Sequence, residues 1–256
     1  MQDTPINIDY LDAEDLHLRI ALGACRFRAE PGEREAWITG AVHDPTGKRS
    51  PRIVEEGGTV RITETEPSFE QIPAVFGGVP RYDIRFGKAR PFALTIETGA
   101  SEFDLDLGGV PLRSVTVRQG AGKFELDFSA PNPHPMELLE VSSGAAGIEL
   151  ENLANANFSE MRLSGGAAGY ELDFRGTLAR DAEAKIEAGL STVEIKIPAS
   201  TAAMIVAETT LGSVDVSDGF TKREGAFWTE AGLREDRPLL TIRAGVRLGS
   251  LQLRAL

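Results

Sequence analysis

A short pattern that recurs six times between residues 92 and 216 constrains the fold of this chain more than any other feature. Two copies are residues 120–128, GAGKFELDF, and residues 166–174, GAAGYELDF. The first apolar residue after each glycine-rich segment recurs at steps of 21, 24, 22, 23 and 21 residues. These residues are Phe103, Phe124, Ile148, Tyr170, Val193 and Val214. Such a steady period is typical of repeat proteins, in which each unit stacks on the next.

Each copy contains two segments of alternating apolar and polar residues, one on either side of the glycines. Around Gly120, Val115 and Val117 precede the glycine-rich segment, and Phe124 and Leu126 follow it. Alternation at period two indicates a strand with one buried face. No segment between copies shows the 3.6-residue periodicity of a crossover helix, so successive units must stack directly. The sequence therefore predicts two short strands per copy, joined by a glycine-containing turn in which φ is positive.

We predict an all-β fold, a right-handed parallel β-solenoid (β-helix) with coils of about 22 residues. Its handedness follows the general chirality of parallel connections. We assign one domain with four parts: residues 1–91, a first coil and an irregular N-terminal β cap; residues 92–216, the regular repeat array; residues 217–238, an insertion loop; and residues 239–256, the final coil. Within the first part, residues 18–27 resemble an outlying first copy, residues 1–17 a loose lead-in, and residues 67–80 the longest loop.

The charge of the chain excludes some classes of partner. A formal net charge of −12 disfavours nucleic acid and anionic membranes, which are polyanions. The only cysteine, Cys25, cannot form an intramolecular disulfide. The sequence contains no run of 18 apolar residues and no signal peptide at its start. We therefore expect a cytoplasmic protein with no direct membrane insertion, or a protein of the cell envelope or surface if an N-terminal segment has been removed.

Outward-facing carboxylates recur in the second strand of each copy. If the copies stack in register, they form a row that we call the acidic ladder: Asp104, Glu125, Glu149, Glu171, Glu194 and Asp215. A parallel row contains Asp106, Asp127, Glu151, Asp173 and Lys196. Carboxylates about 5 Å apart repel by about 1 kcal/mol per pair in water. The ladder either attracts divalent cations or a cationic partner, or is a solvated face that prevents sheet-to-sheet association.

Nothing else in the sequence indicates catalysis or a cofactor. Nearly every copy carries the same pair of acids, whereas glycoside hydrolysis needs one unlike pair with separated pKa values. The histidines His17, His43 and His134 are far apart in sequence, and we expect them in surface loops. We therefore predict no enzyme activity, no cofactor and no dedicated metal site. The candidates for partner binding are Phe220, Phe227 and Trp228 of the insertion, unless these aromatics fold back over the end of the array.

The repeat GAGKFELDF, the copy at residues 18–27, residues 106–112 and the Trp228 segment together resemble bacterial toastrack domains. These include the C-terminal domain of LiaF-type cell-envelope stress proteins and related "putative adhesin" β-helix proteins. The resemblance implies a right-handed β-solenoid and a role in envelope-stress sensing, surface association or assembly. We expect a non-enzymatic binding or scaffold module that binds a protein partner or copies of itself. The alternatives are an adhesin-like or carbohydrate-binding surface protein, with a glycan or divalent cation as ligand, and a polysaccharide-active β-helix enzyme.

Overall fold

The structure, a computed structural model, describes residues 2–47, 49–64, 78–234 and 238–256. These residues form one sheet of 16 strands and two short 3-10 helices, Leu153–Ala156 and Ala231–Leu233, with no α-helix among them. Seven strands are long and carry the repeats: β8 (Phe92–Asp106), β9 (Leu112–Asp127), β10 (Met136–Glu151), β11 (Phe158–Asp173), β12 (Ala182–Ile197), β13 (Ala203–Val216) and β16 (Leu240–Ala255). The other strands are short: β1 (Gln2–Ile8), β2 (Leu16–Leu22), β3 (Cys25–Pro31), β4 (Ile38–Asp44), β5 (Pro51–Glu56), β6 (Thr59–Glu64), β7 (Arg81–Phe86), β14 (Phe220–Arg223) and β15 (Ala226–Thr229).

The long strands pair in parallel and in register, as the repeat predicts. From β8 to β12, the aligned positions are Phe103, Phe124, Ile148, Tyr170 and Val193. All five side chains are at most 3% exposed and belong to one hydrophobic core. Like residues therefore stack on like residues from strand to strand, and their burial contributes roughly 25 cal/mol per Å² of apolar surface.

The glycine-rich segments differ from the prediction. Each copy is one continuous strand that bends at its glycine, not two strands joined by a turn. Positive φ occurs in two of these segments, at Gly122 (132°) and Gly249 (138°), whereas Gly120 and Gly166 lack it and need another explanation. The reason is close approach: a Cβ on Gly166 would lie 2.6 Å from the carbonyl oxygen of Gly144 in the neighbouring strand. The glycines therefore allow adjacent backbones to bend together.

The order of the long strands departs from the order of the chain. The last strand, β16, lies between β12 and β13, pairs in parallel with both, and separates these two sequence neighbours. Leu251 of β16 aligns with Val193 on one side and with Val214 on the other. The C-terminal copy is therefore an internal layer, and β13 is the outermost long strand at this end of the sheet.

At the other end the sheet divides at β8. The two halves of β8 pair with β2 and β3, with Leu18 opposite Leu94 and Phe27 opposite Phe103, which confirms the outlying first copy. One branch continues from β2 to β6 and β5, and the other from β3 to β7, β4 and β1. The expected lead-in at residues 1–17 contains strand β1 and the start of β2. Most of the expected loop at residues 67–80 lies outside the described residues.

The insertion at residues 217–238 contains a hairpin of β14 and β15, where a loop was predicted. Its two turn residues, Glu224 and Gly225, have φ of 48° and 84°, the conformation of a tight hairpin turn. The hairpin pairs with β13 only at Met204 and Ile205. The sheet as a whole remains open, with β1, β5 and β14 at its ends. The handedness of winding and the coil size stay predictions.

Candidate binding faces

The outward side chains of the long strands place the acidic ladder on one face. Asp104, Glu125, Glu149, Glu171 and Glu194 are direct neighbours across successive strands. The sixth member, Asp215, is not next to Glu194, because Gln252 of the inserted strand β16 lies between them. The face therefore brings five predicted carboxylates into one row and separates the sixth from them.

Nearly every carboxylate of the ladder forms an ion pair with a lysine or arginine on the same face. Arg28 lies 3.5 Å from Asp104, and Arg254 lies 3.6 Å from Glu194 and 2.8 Å from Asp215. The remaining contacts join Lys123 to Glu125 and Lys196 to both Glu171 and Glu194. Among the described residues, Glu149 alone in the ladder has no ion-pair partner. The row is thus largely neutralised from within the protein.

Several carboxylates lie close together beside Glu149, in the second row. Burial, followed by the charges of Asp127 and Glu149, raises the pKa of the Glu151 carboxyl, and Arg175 partly opposes this shift. Asn152 donates a hydrogen bond of 2.7 Å to Asp127. No set of three or more histidine, cysteine, aspartate or glutamate side chains in the described parts of the chain is arranged to hold a metal ion. The cation hypothesis for the ladder stays untested.

A groove at the N-terminal end of the same face was not recognised in the sequence. Its outward positions carry charges of both signs along β3, β7, β8 and β9, and its floor is formed by small residues of β4, including Gly40 and Ala41. The cavity measures about 920 Å³. We call it the charged groove. Its charged residues are Arg26, Arg28, Arg81, Arg85, Lys123, Glu30, Asp83, Glu102, Asp104 and Glu125.

The floor of the charged groove requires close contact between backbones. Gly40 has φ of +152°, and a Cβ there would lie 2.0 Å from the carbonyl oxygen of Asp83. Any larger residue would clash with the backbone of β7 and push β4 away from it. The sequence signal for this site is a charged residue at every second position, in Arg26 and Arg28 and in Arg81, Asp83 and Arg85. Only the pairing of β3 with β7 brings these two segments together.

Every cation of the charged groove is already in an ion pair. Arg26 lies 3.0 Å from Glu102 and Arg85 lies 2.7 Å from Glu30. Arg81 contacts Asp83 at 2.8 Å. These side chains are between one third and two thirds exposed, and such surface pairs contribute at most about 1 kcal/mol. A ligand with its own charges could therefore exchange partners with the groove at little cost.

The aromatic candidates lie on the terminal hairpin. Phe220 and Phe227 pack against the hydrophobic core and are partly buried. Trp228 is also partly buried and is opposite Met204 of β13. Lys222 stands 5.3 Å from the centre of the Phe227 ring, a cation–π contact. These residues cover part of the end of the sheet, and their role in partner binding stays a prediction.

The thiol and the histidines supply no reactive arrangement. Burial and the nearby Glu64 raise the pKa of the Cys25 thiol to about 12, so the thiolate nucleophile is suppressed. His17 and His43 lie on strands β2 and β4, not in loops, and only His134 lies in a loop. His43 contacts Asp3 at 2.8 Å and Asp83 at 3.1 Å. The three histidines are not brought together.

The family of the chain follows from comparison with known proteins. The model for the N-terminal domain of toast_rack, a domain also described as DUF2154, matches residues 1–138, which is more than half of the chain. The chain belongs to the toast_rack family. The matched segment contains strands β1 to β9 and all the residues of the charged groove. Comparison with curated proteins gives no match.

The solved structures that resemble this toast_rack chain include the following two. A "putative cell adhesion protein" from Clostridium sporogenes has 13% sequence identity and a TM-score of 0.51, and the similarity covers 100% of this chain and 99% of the other. At this identity the likeness concerns the fold alone. A "putative adhesin" from Bacteroides fragilis, with 9% identity, a TM-score of 0.40 and coverage of 100% and 97%, is too distant to support an argument. Among the described residues, no helix has the length and apolar character needed to cross a membrane.

Proposed function

We propose that this toast_rack chain is a non-enzymatic binding module of the bacterial cell envelope that holds a protein partner in the charged groove. The observation that carries the proposal is the groove itself, in which five cations and five carboxylates share one concave surface of the sheet. All of them lie within the segment that matches the family. The envelope location and a role in stress sensing rest on the resemblance to toastrack domains. The right-handed winding rests on that resemblance and on the chirality of parallel connections, and the coils of about 22 residues rest on the period of the repeat.

The arrangement of charge in the groove favours a protein over a simple polyion. The chain as a whole has a charge of −12, but the groove contains equal numbers of both signs. A polyanion or a polycation would oppose half of these groups. A protein segment with alternating charges can pair with both, and such complementary patterns give specificity and speed association.

The rigidity of the groove favours binding over chemistry. Its charged side chains project from paired strands, and its floor depends on the contact between Gly40 and Asp83. A preformed surface loses little conformational entropy when a partner binds. The carboxylates and cations of the groove are paired with one another, as expected of a surface that exchanges ion pairs with a partner.

A second candidate is surface adhesion. The likeness to the Clostridium sporogenes structure extends over the whole of both chains, and that protein is described as a cell adhesion protein. In this case the ligand would be a surface protein or a glycan. The same groove could serve, since its Asp and Glu side chains can accept hydrogen bonds from sugar hydroxyls.

Affinity capture with cross-linking from bacterial cells, quantified by mass spectrometry, tests the groove. The test variant combines Arg28→Glu and Arg85→Glu, which replace exposed cations and leave the strands intact. The matched control is Lys185→Glu, because Lys185 is 61% exposed and also ion-paired, but lies on β12 away from the groove. Unchanged melting temperatures would show that all the variants fold.

We expect the wild type and the Lys185→Glu control to capture the same identified protein, and the double variant to recover at least about ten times less of it. Equal recovery by all three would refute the groove as the binding site. Loss on Trp228→Ala alone would move the site to the terminal hairpin. Binding to a glycan panel that depends on Arg28 and Arg85 would favour adhesion over protein binding.

A further inference from the structure

The outer edge of β13 is open over most of its length. The hairpin strand β15 pairs with Met204 and Ile205, and no described residue pairs with the outer edge at residues 206–216. We call these residues the terminal edge. Val214 and Val216 in this segment are only partly buried against the core, and Leu211 is 65% exposed. An open strand edge beside exposed apolar surface is a template for another strand.

The other open edges carry features that prevent pairing. β1 contains Pro5, which lacks an amide hydrogen, and β5 contains Pro51 together with Arg52 and Glu55. β14 carries Lys222 and Arg223 at its outer edge. Proline and charged side chains are the usual means by which edge strands avoid association. Among the described edges, only the terminal edge contains a segment of six residues, 209–214 (TTLGSV), with neither proline nor charge.

An apolar row leads to the terminal edge. Leu190 of β12, Leu248 of β16 and Leu211 of β13 are direct neighbours across the three strands. Their exposed fractions are 60%, 46% and 65%. In the preceding strand the same position is occupied by Ala167. The large exposed side chains therefore appear only in the last three strands of the array.

The local charge at this end permits two copies to approach. β13 and β16 carry three arginines, Arg243, Arg247 and Arg254, against two carboxylates, Glu208 and Asp215. Asp215 is paired with Arg254 at 2.8 Å. The whole chain, by contrast, has a charge of −12, so random encounters between copies are repulsive. At the terminal edge, the nearby arginines remove the electrostatic repulsion between two copies.

We infer that the terminal edge binds the terminal edge of a second copy of this chain, antiparallel and about a two-fold axis near Leu211. A two-fold axis pairs the same segment of both copies. The segment without charge or proline therefore pairs with the identical segment of the second copy. Head-to-tail stacking would instead join β13 to β1 or β5, whose proline and charged residues oppose pairing. The result is a closed dimer in which both ends of the assembly are the protected N-terminal branches. This inference does not depend on the charged groove, which lies at the opposite end of the sheet.

Sedimentation velocity of the full chain over a range of concentrations tests the inference. The test variant is Leu211→Lys, which places like charges across the axis. The control is Leu190→Lys, the same substitution at a similarly exposed position two strands from the edge. We expect the wild type and the control to reach about twice the 27.5 kDa of one chain, and Leu211→Lys to weaken dimerisation at least about tenfold.

Three results would overturn the inference: a wild-type chain that stays monomeric at all concentrations, assemblies that grow beyond a dimer, or an equal effect of the two substitutions. A monomer that still captures a partner through the charged groove would leave the proposed function intact.

A second measurement locates the contact without disturbing the fold. Ser213→Cys lies two residues from the proposed axis, and Thr192→Cys is the control, because Thr192, Ser250 and Ser213 form one row across three strands. Since Cys25 is buried, the introduced thiol is the only accessible one. A bis-maleimide reagent should join two Ser213→Cys chains and leave Thr192→Cys chains monomeric. Failure to join the former, or equal joining of both, would contradict the two-fold arrangement.

Discussion

The glycine at each bend shows how a single residue sets the spacing of this sheet. Along the bend, Gly120, Gly144, Gly166 and Gly189 each face the carbonyl oxygen of the glycine in the preceding strand, at 2.6 to 2.7 Å from where a Cβ would be. These contacts involve backbone on both sides, so neither partner can rotate away. At these four positions a side chain would therefore clash with the neighbouring backbone at the usual strand spacing of about 4.8 Å.

The substitution Gly166→Val should lower the free energy of unfolding by about 1–3 kcal/mol, the usual cost of overpacking. The valine Cβ would clash with the carbonyl oxygen of Gly144 and force β10 and β11 apart. Urea unfolding followed by circular dichroism measures this change. The control is Gly169→Val in the same strand, where a Cβ meets nothing within 4 Å and φ is not positive. Equal losses for both variants would contradict the role of close approach.

Glu151 illustrates a residue whose charge opposes folding. Burial, Asp127 and Glu149 raise the pKa of its carboxyl, so the folded state holds this proton more firmly than the unfolded state. For an acid with a raised pKa, stability is fully present below the unfolded pKa of about 4.3 and is lost as pH rises through the folded pKa. Ionised Glu151 thus destabilises the protein at neutral pH.

We expect Glu151→Gln to raise the melting temperature at pH 7 and to leave it unchanged near pH 3, where the wild-type carboxyl is also neutral. Thermal melts of the two proteins from pH 3 to 8 measure the difference. Glu137→Gln, at an exposed position on the same strand, should give no comparable gain. A Glu151→Gln protein that melts below the wild type at pH 7 would show that the carboxylate contributes a favourable contact instead.

At the scale of the strand, the main result is the insertion of β16 between β12 and β13. Thr192 of β12 aligns with Ser250 of β16, and Ser250 aligns with Ser213 of β13. The hydroxyl oxygens of Ser250 and Thr192 lie 3.4 Å apart. In a sheet ordered as the chain runs, Thr192 would instead be next to Ser213.

Two pairs of cysteine substitutions distinguish these orders. Thr192→Cys with Ser250→Cys should form a disulfide on mild oxidation, because adjacent strands bring Cα atoms within the approximately 7 Å that a disulfide allows. Thr192→Cys with Ser213→Cys should not, since one strand separates the two positions. Peptide mapping of the oxidised proteins identifies the bond. An intramolecular disulfide in the second pair alone would support sequential order and refute the insertion.

The strands themselves were largely accessible from the sequence, but their order was not. Alternating residues such as Val115, Val117, Phe124 and Leu126 specify a strand with one buried face wherever they occur, and the period predicts the register. The copy at residues 248–253 fits equally well beside β12 or beside β13, since all three present apolar residues at the same positions. A repeat predicts that each copy forms a strand that pairs with other copies. It does not predict which copies become its neighbours in the sheet.

Of the candidate sites, too, one was predictable from the sequence and the other was not. The acidic ladder was predicted because its members occupy equivalent positions of consecutive copies. The charged groove was missed because it joins Arg26 and Glu102, which belong to copies of the repeat, to Arg81 of β7, which belongs to none. Gln252 was missed for a similar reason, since only the insertion of β16 places it between Glu194 and Asp215. A site formed by segments outside a common repeat can be recognised only once the structure shows which segments are neighbours.

For the whole molecule, the balance of charge on the ladder decides between its two interpretations. A row of unpaired carboxylates would concentrate cations, whereas a row paired with lysine and arginine is already screened. Lys196 contacts both Glu171 and Glu194, and Arg254 contacts Glu194 and Asp215. The contact with Glu171 also raises the pKa of Lys196, so this ammonium group stays charged at neutral pH.

We therefore expect calorimetric titration of the wild-type chain with calcium to give no saturable heat up to millimolar concentration. The variant Lys196→Gln leaves Glu171 without its cation beside the unpaired Glu149, which should produce weak calcium binding in the millimolar range, where sites of few ligands bind. Lys185→Gln, which frees only Glu187 outside the ladder, is the control and should behave as the wild type. Saturable binding by the wild type would show that calcium displaces the internal cations, and the ladder would then be a genuine ion-binding face of the sheet.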